Sequence, residues 1–303
     1  MNPLPPSLRF LERDWLSSNQ VVGMDGDEAT VVDTGYAKHA ALTVELVGHV
    51  LAQSGARLTR VVNTHLHSDH CGGNRALVDA FDCAVTIPRA SAPEVAAWDE
   101  SKLTFAATGQ YCPRFGYDDT LRPGDTLRLG GLDWDVHAAP GHDPKSLIFH
   151  CERERLLISA DALWENGFGV LFPEIEGESG FDEQQAVLEL IGRLPVERVL
   201  PGHGRMFSDV EAALARARAK LDAMRSNPER HARHALKVLV KFLLLDAERI
   251  EESALLERVR GAVVMHRAAE RIGMDYEQAL RWAVESLVAQ GLLRREGSTL
   301  VDV

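Results

Sequence analysis

Three histidines and one aspartate fall within six consecutive positions of the chain, at His65, His67, Asp69 and His70. The apolar segment 58–63 before them is typical of a buried strand, so these side chains follow a strand end. Histidines spaced two apart project to one side of the backbone, and a turn after them would return the aspartate and the third histidine. Neutral imidazole and carboxylate oxygen are ligands for zinc and neighbouring divalent metals. The cluster therefore predicts a metal site.

Three further potential ligands, His142, Asp161 and His203, each follow a short apolar segment. Loops at strand ends are where a rigid scaffold commonly holds binding and catalytic residues. Five histidines and two aspartates thus share one pattern, although they are spread over almost 140 residues.

This order of motifs, His-x-His-x-Asp-His followed by His142, Asp161 and His203, resembles the metallo-β-lactamase fold superfamily, in particular its binuclear hydrolases typified by glyoxalase II and ribonuclease Z. The match extends from about residue 19 to about residue 207. The resemblance implies two metal-binding triads and a bridging carboxylate. Their members are His65, His67 and His142 for one metal, Asp69, His70 and His203 for the other, and Asp161 between them. Asp33, in Val-Asp-Thr-Gly, is expected to orient a metal-bound histidine rather than to bind metal.

Two divalent metal ions are the expected cofactors, with zinc as the first expectation and manganese or iron(II) as alternatives. Two cations about 3.5–4 Å apart share a water and lower its pKa toward neutrality. The resemblance therefore implies a metallo-hydrolase in which a metal-bridging hydroxide attacks a small ester, thioester or lactone. Asp69 would be the catalytic residue, because it would bind the second metal and orient the hydroxide. The sequence contains neither a Gly-x-Ser-x-Gly elbow nor a P-loop.

Three alternatives stay open at this point: a single-strand endoribonuclease or other phosphodiesterase of the same fold, a mononuclear iron persulfide dioxygenase, and a non-enzymatic regulator that retains a metal site. Leu66 stands where the flavodiiron branch has glutamate, which argues against a redox diiron centre. Asp143-Pro144-Lys145-Ser146 follows His142, where thioesterases of the glyoxalase II type tend to have threonine and glycine. This difference argues against a glutathione thioester and leaves the metal ligands intact.

Composition indicates a globular enzyme with a small-molecule substrate. The 303 residues are 45% apolar and 26% charged, with a net charge of −12, which opposes binding to nucleic acid. No apolar run approaches the length of a membrane span, and the N-terminus lacks the basic and apolar regions of a signal peptide. The four cysteines form no close pairs and read as reduced thiols. We therefore expect a cytoplasmic location.

Strand-like and helical segments alternate through the first two thirds of the chain, which predicts an α/β fold. The resemblance adds that the sheets form an αββα sandwich. The strand-like segments are 19–23, 28–33, 58–63, 84–87, 126–129, 132–138, 146–151, 156–161 and 198–200. The helical segments before residue 207 are 36–53, 72–81 and 181–194.

Two long aromatic loops, 99–122 and 163–181, are expected to form walls of a substrate pocket beside the metals. Their candidate substrate contacts are Tyr111, Tyr117, Trp164 and Phe168. Two lysines spaced four apart in a later basic helix, Lys237 and Lys241, share a helix face and are candidates to contact an anionic part of the substrate.

The chain divides by pattern into a catalytic domain over 1–207, a helical connector over 208–246 and a C-terminal domain over 247–303. The C-terminal domain has helical segments at 252–259, 262–271 and 275–290 and a hairpin at 291–301, which together look like a winged helix. Its eight arginines face ten acidic residues, so it lacks the basic face of a nucleic-acid reader. It is expected to pack beside the active site or to make a homodimer contact.

Overall fold

Two β-sheets form the centre of the fold in this computed structural model, which describes residues 3–303. The first sheet contains, in spatial order, β1 (Leu8–Leu11), β2 (Gln20–Asp25), β3 (Glu28–Val32), β4 (Arg57–Val62), β5 (Ala84–Pro88) and β6 (Asp119–Leu121). The second runs in spatial order through β11 (Arg198–Pro201), β10 (Leu156–Ala160), β9 (Leu147–Cys151), β8 (Leu132–Ala138) and β7 (Thr126–Leu129). Strands β3 to β6 are parallel, as are β10 and β11, whereas the other neighbours are antiparallel.

Helices cover the outer faces of both sheets and make up most of the chain after residue 207. The helices before residue 207 are α1 (Ala40–Ser54), α2 (Ser68–Cys71), α3 (Asn74–Phe81), α4 (Ala92–Ala97), α5 (Phe105–Thr108), α6 (Phe172–Glu176) and α7 (Phe181–Arg193). Those after it are α8 (Val210–Arg225), α9 (Pro228–Ala247), α10 (Glu252–Val259), α11 (Val263–Arg271) and α12 (Tyr276–Ala289). Short 3₁₀ turns precede α1 at Ala37–His39 and α4 at Arg89–Ser91.

The core between the two sheets is apolar on both facing surfaces. Val32 and Val62 of the first sheet pack in one cluster with Trp134 and Phe149 of the second. A second cluster joins the first sheet to α1 and α3, and a third joins the second sheet to α7 and α8. Because each large apolar side chain buried here contributes about 1.5–3 kcal/mol, these three interfaces stabilise the stacking. The order of layers is helix, sheet, sheet, helix, so the α/β sandwich predicted from the sequence is confirmed.

The predicted strands and long helices are present with small shifts at their ends. Three short strands, β1, β6 and β12 (Arg249–Glu251), were not predicted. They have three or four residues each, which is too short for an alternating pattern to stand out. The helix predicted to begin at Tyr36 begins as a 3₁₀ turn and becomes α-helical at Ala40.

Helices α8 and α9 begin at residues that satisfy the free backbone amides of a first helical turn. Asp209 accepts a hydrogen bond from the Ala212 amide, and Asn227 accepts one from the Arg230 amide, with Pro228 as the first residue of α9. The break between the two helices therefore has a local sequence cause.

The C-terminal region contains the three predicted helices and the predicted hairpin, formed by β13 (Leu293–Glu296) and β14 (Thr299–Asp302). Strand β12 pairs with β14 and completes a three-stranded sheet. Helix α9 contributes Leu236, Leu239 and Leu243 to the same apolar cluster as α10 to α12. The tail and the connector thus share a core, while the winged-helix assignment and the three domain limits stay predictions.

Within residues 3–303, no helix combines the length and the apolar character needed to cross a membrane.

Candidate metal centre

Parallel strand ends bring the first group of candidate ligands together. In the first sheet, β3 and β4 pair with Val32 opposite Val62, so Asp33 and the segment from Asn63 onward leave the same edge. The single turn of α2 then folds Asp69 and His70 back toward this edge. The sequence pattern of strand, loop and short turn is therefore what gathers four ligands from one segment.

The second sheet contributes at the facing edge. Strands β10 and β11 are parallel, with Ala160 opposite Pro201, so Asp161 and His203 both follow strand ends at that edge. Two glycines leave room for the ligands, since a Cβ on Gly202 would lie 2.4 Å from Asp161 Oδ1 and one on Gly169 would lie 2.5 Å from His142 Nδ1. Any larger residue at either position would displace a ligand.

The first triad, His65, His67 and His142, has ring nitrogens in mutual contact. His67 Nδ1 lies 3.1 Å from His65 Nε2 and 2.7 Å from His142 Nε2. His142 Nδ1 donates to the Val170 carbonyl at 2.5 Å, and His65 Nδ1 donates at 3.1 Å to Thr64 Oγ1, whose own proton goes to Asp33. The Nε2 atoms of both rings therefore carry lone pairs, and a single proton on His67 Nδ1 cannot satisfy both of them. A metal ion among the three nitrogens would remove this conflict.

The second triad, Asp69, His70 and His203, is more open. His203 Nε2 lies 3.0 Å from Asp69 Oδ2, and His70 Nε2 lies 4.0 Å from the same oxygen. His70 Nε2 is fully buried and has no hydrogen-bond partner among the described residues. A buried polar atom without a partner costs about 1–3 kcal/mol, so a cation at this position would stabilise the site.

Asp33 fixes the orientation of this histidine. Its Oδ2 accepts hydrogen bonds from His70 Nδ1 and Thr64 Oγ1, both at 2.8 Å, and its Oδ1 accepts one from the Thr64 amide at 2.9 Å. Asp33 has a positive φ of 58°, a conformation that aspartate adopts more readily than most residues. Because Nδ1 of His70 donates to Asp33, Nε2 is the nitrogen that remains available to a metal ion. Asp33 therefore lies beside the triads, in the position of a residue that orients a ligand.

Asp161 lies between the two triads. Its Oδ2 is 3.3 Å from His142 Nε2, whereas its Oδ1 is 3.3 Å from His70 Nε2 and 3.8 Å from His203 Nε2. Trp164 Nε1 donates to the same Oδ1 at 3.3 Å. One carboxylate thus faces histidines of both groups, as a ligand shared by two cations would.

Two of the site's histidines are neutral, and its carboxylates favour positive charge beside them. Burial lowers the pKa of His67 and of His142 to about 4, so both rings are neutral at physiological pH. Burial alone would raise the pKa of Asp161, but His70 and His203 hold it well below its usual range. Burial alone would lower the pKa of His70, yet Asp161 and Asp33 raise it well above its usual value. Without metal, the two carboxylates therefore favour a second proton on His70, and a metal ion bound at Nε2 would replace that proton.

An apolar cavity of about 400 Å³ opens onto both triads. Trp164 and Phe168, predicted from the sequence as substrate contacts, line this cavity. Its other apolar lining residues are Trp15, Val170, Phe172, Val238, Leu239, Phe242 and Val264. The cavity therefore joins the candidate metal centre to a surface suited to a hydrocarbon group.

The other predicted substrate contacts do not line this cavity. Tyr111 is 62% exposed, and Tyr117 packs against the cluster on the outer side of the first sheet. Lys241 donates to Asp302 at 2.7 Å and to the Leu292 carbonyl at 2.9 Å, so its ammonium is directed into the tail. Lys237 lines a neighbouring groove instead.

Two residues at the cavity carry no motif that sequence reasoning could have used. Trp15 precedes the first sheet's second strand and stacks on the His203 ring with the ring planes 6° apart. Lys220 of α8 donates to the Phe168 carbonyl at 2.7 Å, and its ammonium lies 4.6 Å from the centre of the Phe168 ring. A scattered tryptophan and one lysine of a basic helix become recognisable only when their neighbours are known.

A second concavity of about 710 Å³ adjoins the cavity, and Lys220 and His234 line both. We call it the basic groove, because four of its lining residues, Lys220, Arg230, Arg233 and Lys237, are cations and Glu229 is its one acidic lining residue. None of these four cations has a carboxylate oxygen within 4.0 Å in the part of the chain that the structure describes.

The match to known proteins agrees with this geometry. The family model described as the metallo-β-lactamase superfamily matches residues 13–203, and the chain therefore belongs to that superfamily. A hydroxyacylglutathione hydrolase of Methylobacterium sp. (strain 4-46) is 30% identical over 209 residues, covering 67% of this chain and 69% of the relative. An acyl-coenzyme A thioesterase, MBLAC2, of Gallus gallus is 28% identical over 165 residues, covering 51% of this chain and 59% of the relative. These relationships identify the chain as a metallo-hydrolase.

Among solved structures, a metallo-β-lactamase family protein from Thermus thermophilus superposes with a TM-score of 0.57. The two share 20% identity, and the match covers 99% of this chain and 100% of the other. The similarity of fold therefore extends through the C-terminal helices as well as the sandwich.

Proposed function

We propose that the chain is a binuclear metal-dependent hydrolase that cleaves a thioester. The observation that carries the proposal is the convergence of five imidazoles and two carboxylates into two groups that share Asp161. Each of the seven side chains comes from a loop that follows a strand or, for Asp69 and His70, from the single turn α2, so the fold itself holds them in position. Ester and lactone hydrolysis stand as the nearest variants of the same chemistry.

The residues present fit two divalent cations. His65, His67 and His142 would hold one, Asp69, His70 and His203 would hold the other, and Asp161 would bind both. The chemistry that such a pair supplies is a water acidic enough to act as hydroxide near neutral pH, together with stabilisation of negative charge on the carbonyl oxygen. A nitrogen-rich donor set of this kind favours zinc, while manganese and iron(II) remain compatible with it.

The chain's own groups would position the reactants. Asp69 has an oxygen 3.0 Å from His203 Nε2 and lines the cavity, so it can accept a proton from the attacking water and hold that water toward the substrate carbon. In hydrolysis the carbon–oxygen bond forms, the carbon–sulfur bond breaks, and the two protons of water end on the carboxylic acid and the thiol. A thiolate is a good leaving group, so the reaction requires no strong general acid.

Two observations support a thioester in particular. Both relatives described above are named for activity on thioesters, one of glutathione and one of coenzyme A. The cavity offers an apolar wall for an acyl group, formed by side chains such as Phe168, Phe172 and Phe242. The segment after His142 offers no free cation to a carboxylate of glutathione, because its lysine, Lys145, is paired with Glu94 at 2.7 Å.

The proposal is tested with purified protein loaded with zinc, manganese or iron(II) and assayed on acyl thioesters, esters and lactones before and after treatment with a chelator. We expect thioester hydrolysis that the chelator abolishes and metal restores. His203→Asn should remove both the second metal and the activity, whereas His49→Asn, a change on the exposed face of α1, should alter neither. Activity that persists without metal, or a metal-loaded protein that cleaves no acyl substrate, would contradict the proposal.

The basic groove also offers cations to a phosphodiester, which favours a phosphodiesterase as the second candidate function. Cleavage of single-stranded RNA by the metal-loaded protein, in the absence of thioester hydrolysis, would favour it. The persulfide dioxygenase alternative requires iron, so full activity of a zinc-loaded protein that contains no iron would eliminate it.

A further inference from the structure

The basic groove begins where the cavity at the candidate metal centre ends. Lys220 and His234 line both spaces, so the cavity and the groove adjoin at these two side chains. Lys220 is held at this boundary by its hydrogen bond to the Phe168 carbonyl and by the Phe168 ring beneath its ammonium. The two spaces are close enough for one elongated ligand to occupy both.

The four cations of the groove form no ion pair within 4.0 Å among the residues 3–303 that the structure describes, and they outnumber Glu229, its one acidic lining residue. Arg230, Arg233 and Lys237 lie on successive turns of α9, and Arg233 lies over the Trp282 ring at 4.8 Å. This stacking fixes the guanidinium plane and leaves its N–H groups free to bind an anion. In a chain with a net charge of −12, such a concentration of positive charge indicates a polyanionic ligand.

His234, at the boundary of the groove, adds no positive charge of its own. His234 lies between the cavity and the groove, and its pKa is lowered to about 3 by burial and then by the nearby charges of Lys220, His231, Lys237 and Arg230. Lys220 itself has its pKa lowered to about 8 by burial, so it remains mainly charged at neutral pH. The groove thus keeps its positive charge under the conditions in which a hydrolase of this kind would work.

We infer that the basic groove binds the phosphate-bearing end of a nucleotide thioester, an acyl-coenzyme A, while the acyl group occupies the apolar cavity. The inference rests on the proposed function, since it concerns the thiol side of the same substrate. Coenzyme A carries a diphosphate and a phosphate monoester, which match several cations that lack carboxylate partners. Glutathione carries two carboxylates and an ammonium, and the ammonium would meet the same positive potential.

The first test measures binding without catalysis. Adenosine 3′,5′-bisphosphate carries phosphates of the coenzyme A type but has no thiol that could bind a metal. Calorimetry should detect its binding to the zinc-loaded protein, and the double variant R230Q/K237Q should weaken the binding about tenfold, the effect of losing two partly exposed charge pairs. The matched control R75Q removes one exposed charge from α3 and should leave the binding unchanged. If the bisphosphate fails to bind, or binds R230Q/K237Q as tightly as the unaltered protein, the inference is overturned.

The second test compares two thioesters of the same acid. The double variant should raise the KM for the acyl-coenzyme A about tenfold with kcat retained. It should leave kcat/KM unchanged for the acyl-N-acetylcysteamine, which lacks phosphates. Equal losses on both substrates would contradict a role in binding phosphate.

The two tests also separate this inference from the function on which it rests. If neither thioester is cleaved but the bisphosphate binds in the predicted manner, the proposed function fails while the groove keeps its assignment to a phosphate ligand. If single-stranded RNA displaces the bisphosphate and is cleaved, the occupant is a nucleic acid and the assignment to coenzyme A is wrong.

Discussion

Replacement of Asp33 by asparagine tests whether a residue beside the two triads controls the metal affinity of one of them. The carboxylate of Asp33 accepts three hydrogen bonds, from His70 Nδ1 and from the amide and hydroxyl of Thr64. Asparagine has nearly the same shape but only one acceptor oxygen. If that oxygen keeps the Thr64 amide, the NH₂ group faces His70 Nδ1, and two donors then oppose each other. The histidine can relieve this contact only by moving its proton to Nε2, the atom needed for the second metal.

The expected effect follows from this conflict. Loss of the group that orients a metal-bound histidine typically reduces metal affinity by roughly 10- to 100-fold, or about 1.4–2.7 kcal/mol. We expect this loss at the second site, formed by Asp69, His70 and His203, and a much smaller change at the first. Stepwise titration of the metal-free protein against a competing chelator would measure both affinities.

The control for this measurement is Asp79→Asn, which alters an exposed aspartate paired with Arg75 at 2.8 Å on α3. It makes the same chemical change away from the site and should leave both affinities as they are. Circular dichroism would establish that each variant is folded. If Asp33→Asn binds both metals with unaltered affinity, or weakens only the first site, the tautomer reasoning for His70 is refuted.

Two further predictions concern packing and pH. Gly169→Ala should displace His142, since the new Cβ would lie 2.5 Å from His142 Nδ1, and we expect at least about a tenfold loss of activity and of metal affinity at the first site. The control Gly116→Ala adds a Cβ that meets no atom within 4 Å and should lose neither. Metal titration and thioester kinetics of the two variants check this. The metal-free protein should lose unfolding free energy as the pH falls from about 6.5 to about 4, because the folded state keeps His67 and His142 neutral while the unfolded chain binds their protons. Inside that window these two histidines make the unfolding free energy change by up to about 2.7 kcal/mol per pH unit. Urea unfolding at a series of pH values would measure this slope. An unfolding free energy that does not change with pH would contradict the assignment of neutral rings to His67 and His142.

The ligand pattern was readable from the sequence because each ligand sits at a local signal. An apolar segment that ends in a histidine or aspartate predicts a side chain at a strand end, and parallel strands place such ends at one edge. Asp161 is an example among the ligands and Asp33 among the residues that orient them, since each follows a residue paired across parallel strands, Ala160 with Pro201 and Val32 with Val62. The resemblance to a known family indicated which of these ligands form each triad.

The substrate side was not readable in the same way. Lys237 and Lys241 share a helix face by spacing, yet Lys241 is paired with Asp302, a residue 61 positions away in the chain. Lys220 reaches the cavity only because α8 packs beside the loop that contains Phe168. Contacts of this kind depend on how distant elements pack, and no local pattern encodes them.

The short strands β1 and β6 were missed for a related reason. They lie at the two edges of the first sheet, where a strand needs only one neighbour and few residues to form. Their residues carry no alternation that would distinguish them from a loop, so the pairing partner decides their conformation.

The most direct test of the central claim is a crystal structure of the metal-loaded protein with anomalous diffraction recorded at the metal absorption edge. The account predicts two peaks, one among His65, His67 and His142 and one among Asp69, His70 and His203, with Asp161 contacting both. A single peak, or ions bound away from these seven side chains, would contradict the binuclear centre from which the proposed hydrolysis follows.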